Sequence, residues 1–142
     1  MAEYKKGHHP LEIFDATMEG TPRWVKIWIV LSTAWFLCGL FFVWQHSIAR
    51  WVVGCHIAGL MALVASSIFN SVLVKLSGFN ALAHIVFWSP ALFRLLTEQP
   101  FFDGELTAFS IWSGGVTAIM LFSFVFDVPY SFVYLRHVLF RK

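Results

Sequence analysis

The chain has 142 residues, of which 58% are hydrophobic and only 13% are charged. A soluble domain of this size leaves too much of its surface in water to accommodate so large an apolar fraction. The composition therefore excludes an ordinary water-soluble domain and predicts a protein embedded in lipid. The formal net charge of +2 is too small to indicate nucleic acid as a partner.

Residues 1–22 form a polar tail ahead of the first apolar run. Within the tail, residues 9–20 begin near a proline, carry acidic side chains in the early turns and end on a glycine, which predicts one short helix. Leu11, Phe14 and Met18 recur at helical spacing, so this helix is expected to lie flat on the cytoplasmic face of the membrane.

Four nearly uncharged runs follow and predict membrane-spanning helices at residues of about 23–45, 51–75, 78–97 and 106–135. Each run approaches or exceeds the roughly 17 to 25 residues that a helix needs to cross a bilayer. The connections between them are short, which makes consecutive helices antiparallel neighbours. The expected fold is all-α, with residues 1–142 forming one transmembrane domain. This domain is an up-down four-helix bundle with a short N-terminal interfacial helix.

Basic residues are distributed unevenly between the two sides that this topology creates. The outer segments hold only Arg50 and Arg94 when the N-terminus is placed inside. The cytoplasmic segments then hold Lys5, Lys6, Arg23, Lys26, Lys75, Arg136, Arg141 and Lys142. Cytoplasmic loops are typically enriched in lysine and arginine, so both termini are expected to be cytoplasmic. The expected location is a bacterial inner membrane.

The second span carries a regular series of small residues. Every fourth position is small at Gly54, Ala58, Ala62 and Ser66, and Gly59 lies beside them. Small side chains on one helical face let another helix backbone approach closely, which is how helices associate in lipid. This helix is therefore expected to be central and the least exposed to lipid. Its small face is expected to pack within the bundle or, alternatively, to form a seam between subunits.

Polar side chains of the third and fourth spans fall at one depth. Counting 1.5 Å per residue from the cytoplasmic ends places both His84 and Asp127 on the order of 10 Å deep. An ionisable group within a span is a functional candidate, because leaving it unpaired in lipid is costly. The alternatives are a proton-accepting pair, a structural lock, or a carboxylate that reaches toward the interface. Three further polar residues belong to the same half of the membrane: Asn70, Ser71 and Asn80.

His46 and His56 flank the first outer loop and are weak candidates for a metal or haem site. The expected alternative for both is an interfacial polar side chain. The many aromatic residues are typical of membrane interfaces, but aromatics also line grooves for quinones or lipids. Bound lipid is expected, and haem or quinone stays open as a cofactor.

No phosphate-binding loop, nucleophile elbow, dinucleotide motif or zinc-protease signature occurs, so no enzyme class is indicated. The leading hypothesis is a non-catalytic membrane subunit that packs against partner helices, from other subunits or from further copies of the chain. The first alternative is a small homo-oligomeric transporter or channel for protons, ions or small solutes, using His84 and Asp127. The second is a redox protein associated with haem or quinone.

Overall fold

The computed structural model describes residues 22–69, 77–102 and 104–140. Within these, only the backbone is described for residues 66–69, 77, 137 and 138. The expected N-terminal interfacial helix lies outside the described residues. So do Asn70 and Ser71, two members of the expected polar cluster.

Four α-helices account for most of the described chain: α1 (Arg23–Cys38), α2 (Ser47–Phe69), α3 (Ser77–Glu98) and α4 (Ala108–Leu139). A short 3-10 turn, Gly39–Phe41, extends α1. All four are long and apolar enough to cross a membrane, when α1 is counted with its 3-10 turn. The described residues contain no strand. The expected all-α bundle with four candidate spans is therefore confirmed.

Two helix boundaries differ from the expected ones at the first connection. The α-helical part of α1 stops at Cys38, and α2 begins at Ser47 rather than near residue 51. Arg50 consequently lies in the first turn of α2, where its backbone N–H donates to the carbonyl oxygen of His46 at 3.4 Å. The expected boundary was placed directly after the charged residue Arg50, at the first residue of the uncharged run. A helix can begin on the polar side of that point, because its backbone hydrogen bonds do not depend on a hydrocarbon environment.

A capping box starts α4. The hydroxyl of Thr107 accepts from the backbone N–H of Ser110 at 3.1 Å, and the hydroxyl of Ser110 accepts from the N–H of Thr107 at 2.9 Å. These bonds satisfy two backbone donors that a helix start otherwise leaves unpaired. The helix continues through Pro129 to Leu139, beyond the expected end near residue 135.

Consecutive helices run antiparallel, and α3 occupies the middle. It packs most extensively against α4 and next against α2, whereas α1 makes smaller contacts with α4 and α2. Gly78 at the start of α3 lies against Tyr134 near the end of α4, where the Cβ of Tyr134 and the carbonyl oxygen of Tyr130 leave no space for a side chain. One end of the bundle, the double-loop end, holds the α1–α2 and α3–α4 connections. The other, the termini end, holds the start of α1 and the end of α4.

The expectation that α2 is the central and least exposed helix is not what the structure shows. The buried share of its described span is 33%, the same as for α3 and α4, and 17% for α1. The helix in the middle is α3, whose Ala81 and Ala91 are buried and allow neighbouring helices to approach. The series of small residues on α2 did not identify the central helix, because α3 also carries small residues where it packs against its neighbours.

An aromatic core joins the helices. Its largest buried members include Phe36 of α1, Trp88 of α3 and Trp112 of α4. Two reciprocal bonds fasten α1 to α4: the indole N–H of Trp35 donates to the carbonyl of Trp112 at 3.2 Å, and that of Trp112 donates to the carbonyl of Trp35 at 2.9 Å. Most of the outer surface carries exposed large apolar side chains, as expected for a bundle surrounded by lipid.

Candidate functional site

A direct contact joins His84 of α3 to Asp127 of α4. The distance from His84 Nδ1 to Asp127 Oδ2 is 3.0 Å, and the side chains are 24% and 14% exposed. The contact expected from their matching depth is therefore present. If the imidazole is neutral, its Nδ1–H donates to the carboxylate and Nε2 is left as a proton acceptor. If it is protonated, the same contact is an ion pair.

Antiparallel packing brings the two side chains together. Gly78 and Tyr134 lie in contact at the termini end of α3 and α4, and the His84–Asp127 contact lies farther into the bundle. Removing either partner would leave a polar or charged group unpaired in the membrane, which is unfavourable. The contact thus stabilises the packing of α3 on α4, whatever further role it has.

Trp88 connects this pair to the rest of the core. Its ring stacks on the imidazole of His84, with centroids 4.2 Å apart and planes 11° from parallel. It also stacks on Phe36 at 4.8 Å and lies tilted beside His56 at 5.8 Å. The four rings of His84, Trp88, Phe36 and His56 form a continuous group, called the aromatic column below. The column fixes the plane of the His84 imidazole.

His56 is buried in this column, with 6% of its surface exposed. Phe36 stacks on it at 4.3 Å with planes 10° from parallel. Neither ring nitrogen has a hydrogen-bond partner among the described residues. A buried polar group left in this way costs about 1–3 kcal/mol. His56 is therefore a buried polar side chain that makes no hydrogen bond within the described part of the chain.

The sequence interpretation placed His56 beside the outer loop, and the structure corrects this. Because α2 begins at Ser47, His56 lies nine residues inside the helix, which is about 14 Å from its start. Its burial also depends on the rotation of α2 toward Phe36 and Trp88. A capping or turn signal at Ser47 would have indicated in the sequence that α2 starts before Arg50.

His46 has different surroundings. It lies in the α1–α2 connection, where its ring stacks on Phe109 at 3.6 Å and meets the edge of Phe42. Across the described ranges, no group of three or more histidine, cysteine or acidic side chains is arranged to hold a metal ion. A metal or haem site at either histidine stays a prediction.

Asn80 lies one turn before His84 on α3, and its side-chain Oδ1 is buried with no partner in the described part of the chain. Of the five residues expected to converge, the structure thus joins His84 and Asp127 directly and places Asn80 in the same half of α3. Asn70 and Ser71 belong to the segment that is not described.

The small residues of α2 do not share one environment. Gly59 is buried, and a Cβ added there would meet Phe87 at 3.8 Å. Gly54 is exposed, and a Cβ there would meet nothing within 4 Å. Ala58 and Ala62 are half-buried, and the side chain of Ser66 is not described. Part of this face packs on α3, while its double-loop end opens into a groove.

Buried hydroxyls in α4 are satisfied by their own helix. Ser113 donates to the carbonyl of Ser110 at 3.0 Å, and Thr117 donates to the carbonyl of Ser113 at 2.8 Å. Leu95 and Met120 are fully buried in the apolar core between the helices. The described interior therefore combines one polar contact near the termini end with an aromatic and apolar core.

Comparison of the chain with protein-family models, curated proteins and solved structures gave no match.

Proposed function

We propose that this chain is a non-catalytic integral membrane subunit that packs against a partner helix along the exposed face of α1. The observation that carries the proposal is the pattern of that face. Exposed residues recur there at intervals of four, three and four: Ile27, Leu31, Ala34 and Cys38. This spacing is typical of a seam between two helices.

The opposite face of α1 is already used within the bundle. Ser32, Phe36 and Gly39 are buried, and Trp28 meets the edge of Phe122 on α4 at 5.0 Å. Among the described residues, one side of α1 is therefore packed and the other is exposed, which agrees with the 17% buried share of its span. Ala34 and Cys38 are small, so a partner backbone can approach the free side closely.

Photo-crosslinking tests this proposal. A photoreactive phenylalanine analogue is placed at Leu31, and a matched control is placed at Val86 of α3. The two positions are similarly exposed, at 62% and 57%, and lie eight and nine residues from the starts of their helices. We expect a discrete protein adduct from Leu31 and only lipid adducts from Val86.

The mass of the adduct identifies the occupant as a second copy of this chain or another protein. Lipid adducts alone at both positions would contradict the proposal. A monomeric mass in mild detergent, together with unchanged stability after Ala34→Leu, would also contradict it. Disruption of a helix–helix interface should lower the stability of the assembly.

A second function, proton transfer, is favoured by a different observation. His56 is buried with both ring nitrogens unpaired among the described residues, and the ring of Trp88 contacts both His56 and His84. The His84–Asp127 contact supplies a second imidazole, which can accept a proton at a ring nitrogen. A purely structural core gains nothing from the unpaired histidine.

Reconstituted vesicles distinguish the two functions. An imposed pH gradient is followed with an enclosed dye for the parent, for His56→Phe and for the double variant His84→Leu with Asp127→Leu. Proton transfer predicts dissipation by the parent that both variants abolish while remaining folded. Equal gradients in empty vesicles and in vesicles with the parent would exclude proton transfer and leave the pair a structural role.

A further inference from the structure

We propose that the groove between α2 and α3 at the double-loop end binds an anionic membrane phospholipid. The groove has a volume of about 370 Å³ and is open on one side. Its lining residues are Arg50, Trp51, Gly54, Cys55, Ala58 and Phe87. The site contains no residue of α1, so it does not depend on the subunit role proposed above.

The floor of the groove is apolar and contains unfilled space. A Cβ on Gly54 would meet no atom within 4 Å, so the missing side chain leaves a depression in the helix surface. Ala58 continues this floor one turn farther along α2, and Phe87 of α3 forms a wall. A flexible acyl chain fits such a floor, because it can fill a shallow apolar depression without leaving polar groups unpaired.

The mouth of the groove is polar and basic. Arg50 is exposed, and its Nη1 donates to the carbonyl of Val43 at 2.9 Å, which anchors the guanidinium beside the α1–α2 connection. A guanidinium has five N–H donors, so further donors remain for a phosphodiester. Trp51, next to Arg50, is half exposed, as is typical of tryptophan at the level of lipid headgroups.

A second arginine lies at the same mouth but is already neutralised. Arg94 is positioned over the Trp51 ring, with 5.7 Å from its Cζ to the ring centroid, and forms an ion pair with Glu98. It also donates to the hydroxyl of Ser47 at 3.4 Å. The charge that remains unbalanced among these residues is that of Arg50. This favours an anionic ligand over a zwitterionic one.

The order of polar and apolar groups matches the direction in which a lipid lies in a leaflet. Arg50 is three residues from the start of α2, and Ala58 is eight residues deeper, or about 12 Å. A headgroup at Arg50 would therefore place its acyl chain along Gly54 and Ala58. A transmembrane partner helix fits less well, since it would cover the guanidinium without supplying a counter-charge.

Native mass spectrometry of the full chain in mild detergent tests the site. Phosphatidylglycerol and phosphatidylcholine with identical acyl chains are added at equal concentrations. We expect preferential retention of phosphatidylglycerol by the parent. Gly54→Leu should reduce its retention about five- to tenfold, because the new side chain occupies the groove without a clash in the protein. Arg50→Gln should remove the preference for phosphatidylglycerol over phosphatidylcholine.

The matched control is Ala118→Leu, which adds the same bulk at an exposed position of α4. It should retain phosphatidylglycerol like the parent, and circular dichroism should show equal helix content in all variants. Equal retention of the two lipids by the parent would overturn the proposal. So would equal retention by Gly54→Leu and Ala118→Leu, or a protein rather than a lipid bound at the groove.

Discussion

Replacing Gly115 with alanine should weaken the attachment of α1 to α4. A Cβ at this position would lie 2.5 Å from Nε1 of Trp35 and 2.7 Å from its Cε2. These distances are too short for non-bonded atoms, so the indole must move. Its movement disturbs the bond that its own N–H donates to the carbonyl of Trp112, one of the two described hydrogen bonds that join α1 to α4.

The expected loss follows from two contributions. Side-chain hydrogen bonds in membrane proteins contribute about 0.6 kcal/mol each on average, so the loss of this one bond accounts for about 0.6 kcal/mol. Overpacking at a tight contact adds about 1–3 kcal/mol. Because Trp35 is 38% exposed, its ring has room to swing toward lipid, which limits the second contribution. The total is about 2–4 kcal/mol, with about 0.6 kcal/mol as the lower bound if the ring swings freely.

Gly114→Ala is the matched control. It makes the same chemical change in the same helix, but its Cβ would meet Phe101 at 3.4 Å, an ordinary van der Waals distance. The gain in helix propensity, about 1 kcal/mol, is common to both variants and cancels in the comparison. Denaturant unfolding in mild detergent, followed by far-ultraviolet circular dichroism, measures the difference in the free energy of unfolding. A difference below about 0.5 kcal/mol would refute the packing argument.

Three further predictions concern the polar pair, the small face of α2 and the topology. His84→Leu and Asp127→Leu should each destabilise the bundle more than the double variant does, because a single change leaves one polar group unpaired. A double-mutant cycle should give a coupling energy of about 0.5–3 kcal/mol. Additive effects of the two changes would contradict the contact. Ala62→Leu should destabilise by about 1–3 kcal/mol, since this half-buried residue lies on the packed part of α2, and unfolding equal to that of the parent would show that it faces lipid. Reporter fusions at the N- and C-termini should both report a cytoplasmic location, and an outside signal from either would contradict the charge-based topology.

Local properties of the sequence were sufficient to predict the four membrane-spanning helices. Hydrophobicity and the length of each uncharged run are read residue by residue, and a bilayer imposes both. The matching depth of His84 and Asp127 also follows from counting residues along antiparallel helices. Their contact at 3.0 Å needed one more condition, a rotation of α3 and α4 that turns both side chains toward each other, and only the tertiary structure supplied it.

The positions of the helix ends, and the side of α2 that packs against the bundle, could be determined only from the three-dimensional structure. Charged residues marked the expected boundaries, yet Arg50 lies inside α2. His56 is buried because α2 turns it toward Phe36 and Trp88. Gly54 and Gly59 belong to one series of small residues, but one faces an open groove and the other packs on Phe87. In a soluble helix a polar face would have shown which side is outside. Both sides of a helix in lipid are apolar, so the sequence alone determines only that the helix spans the membrane. The packing of the neighbouring helices determines which side of it faces them.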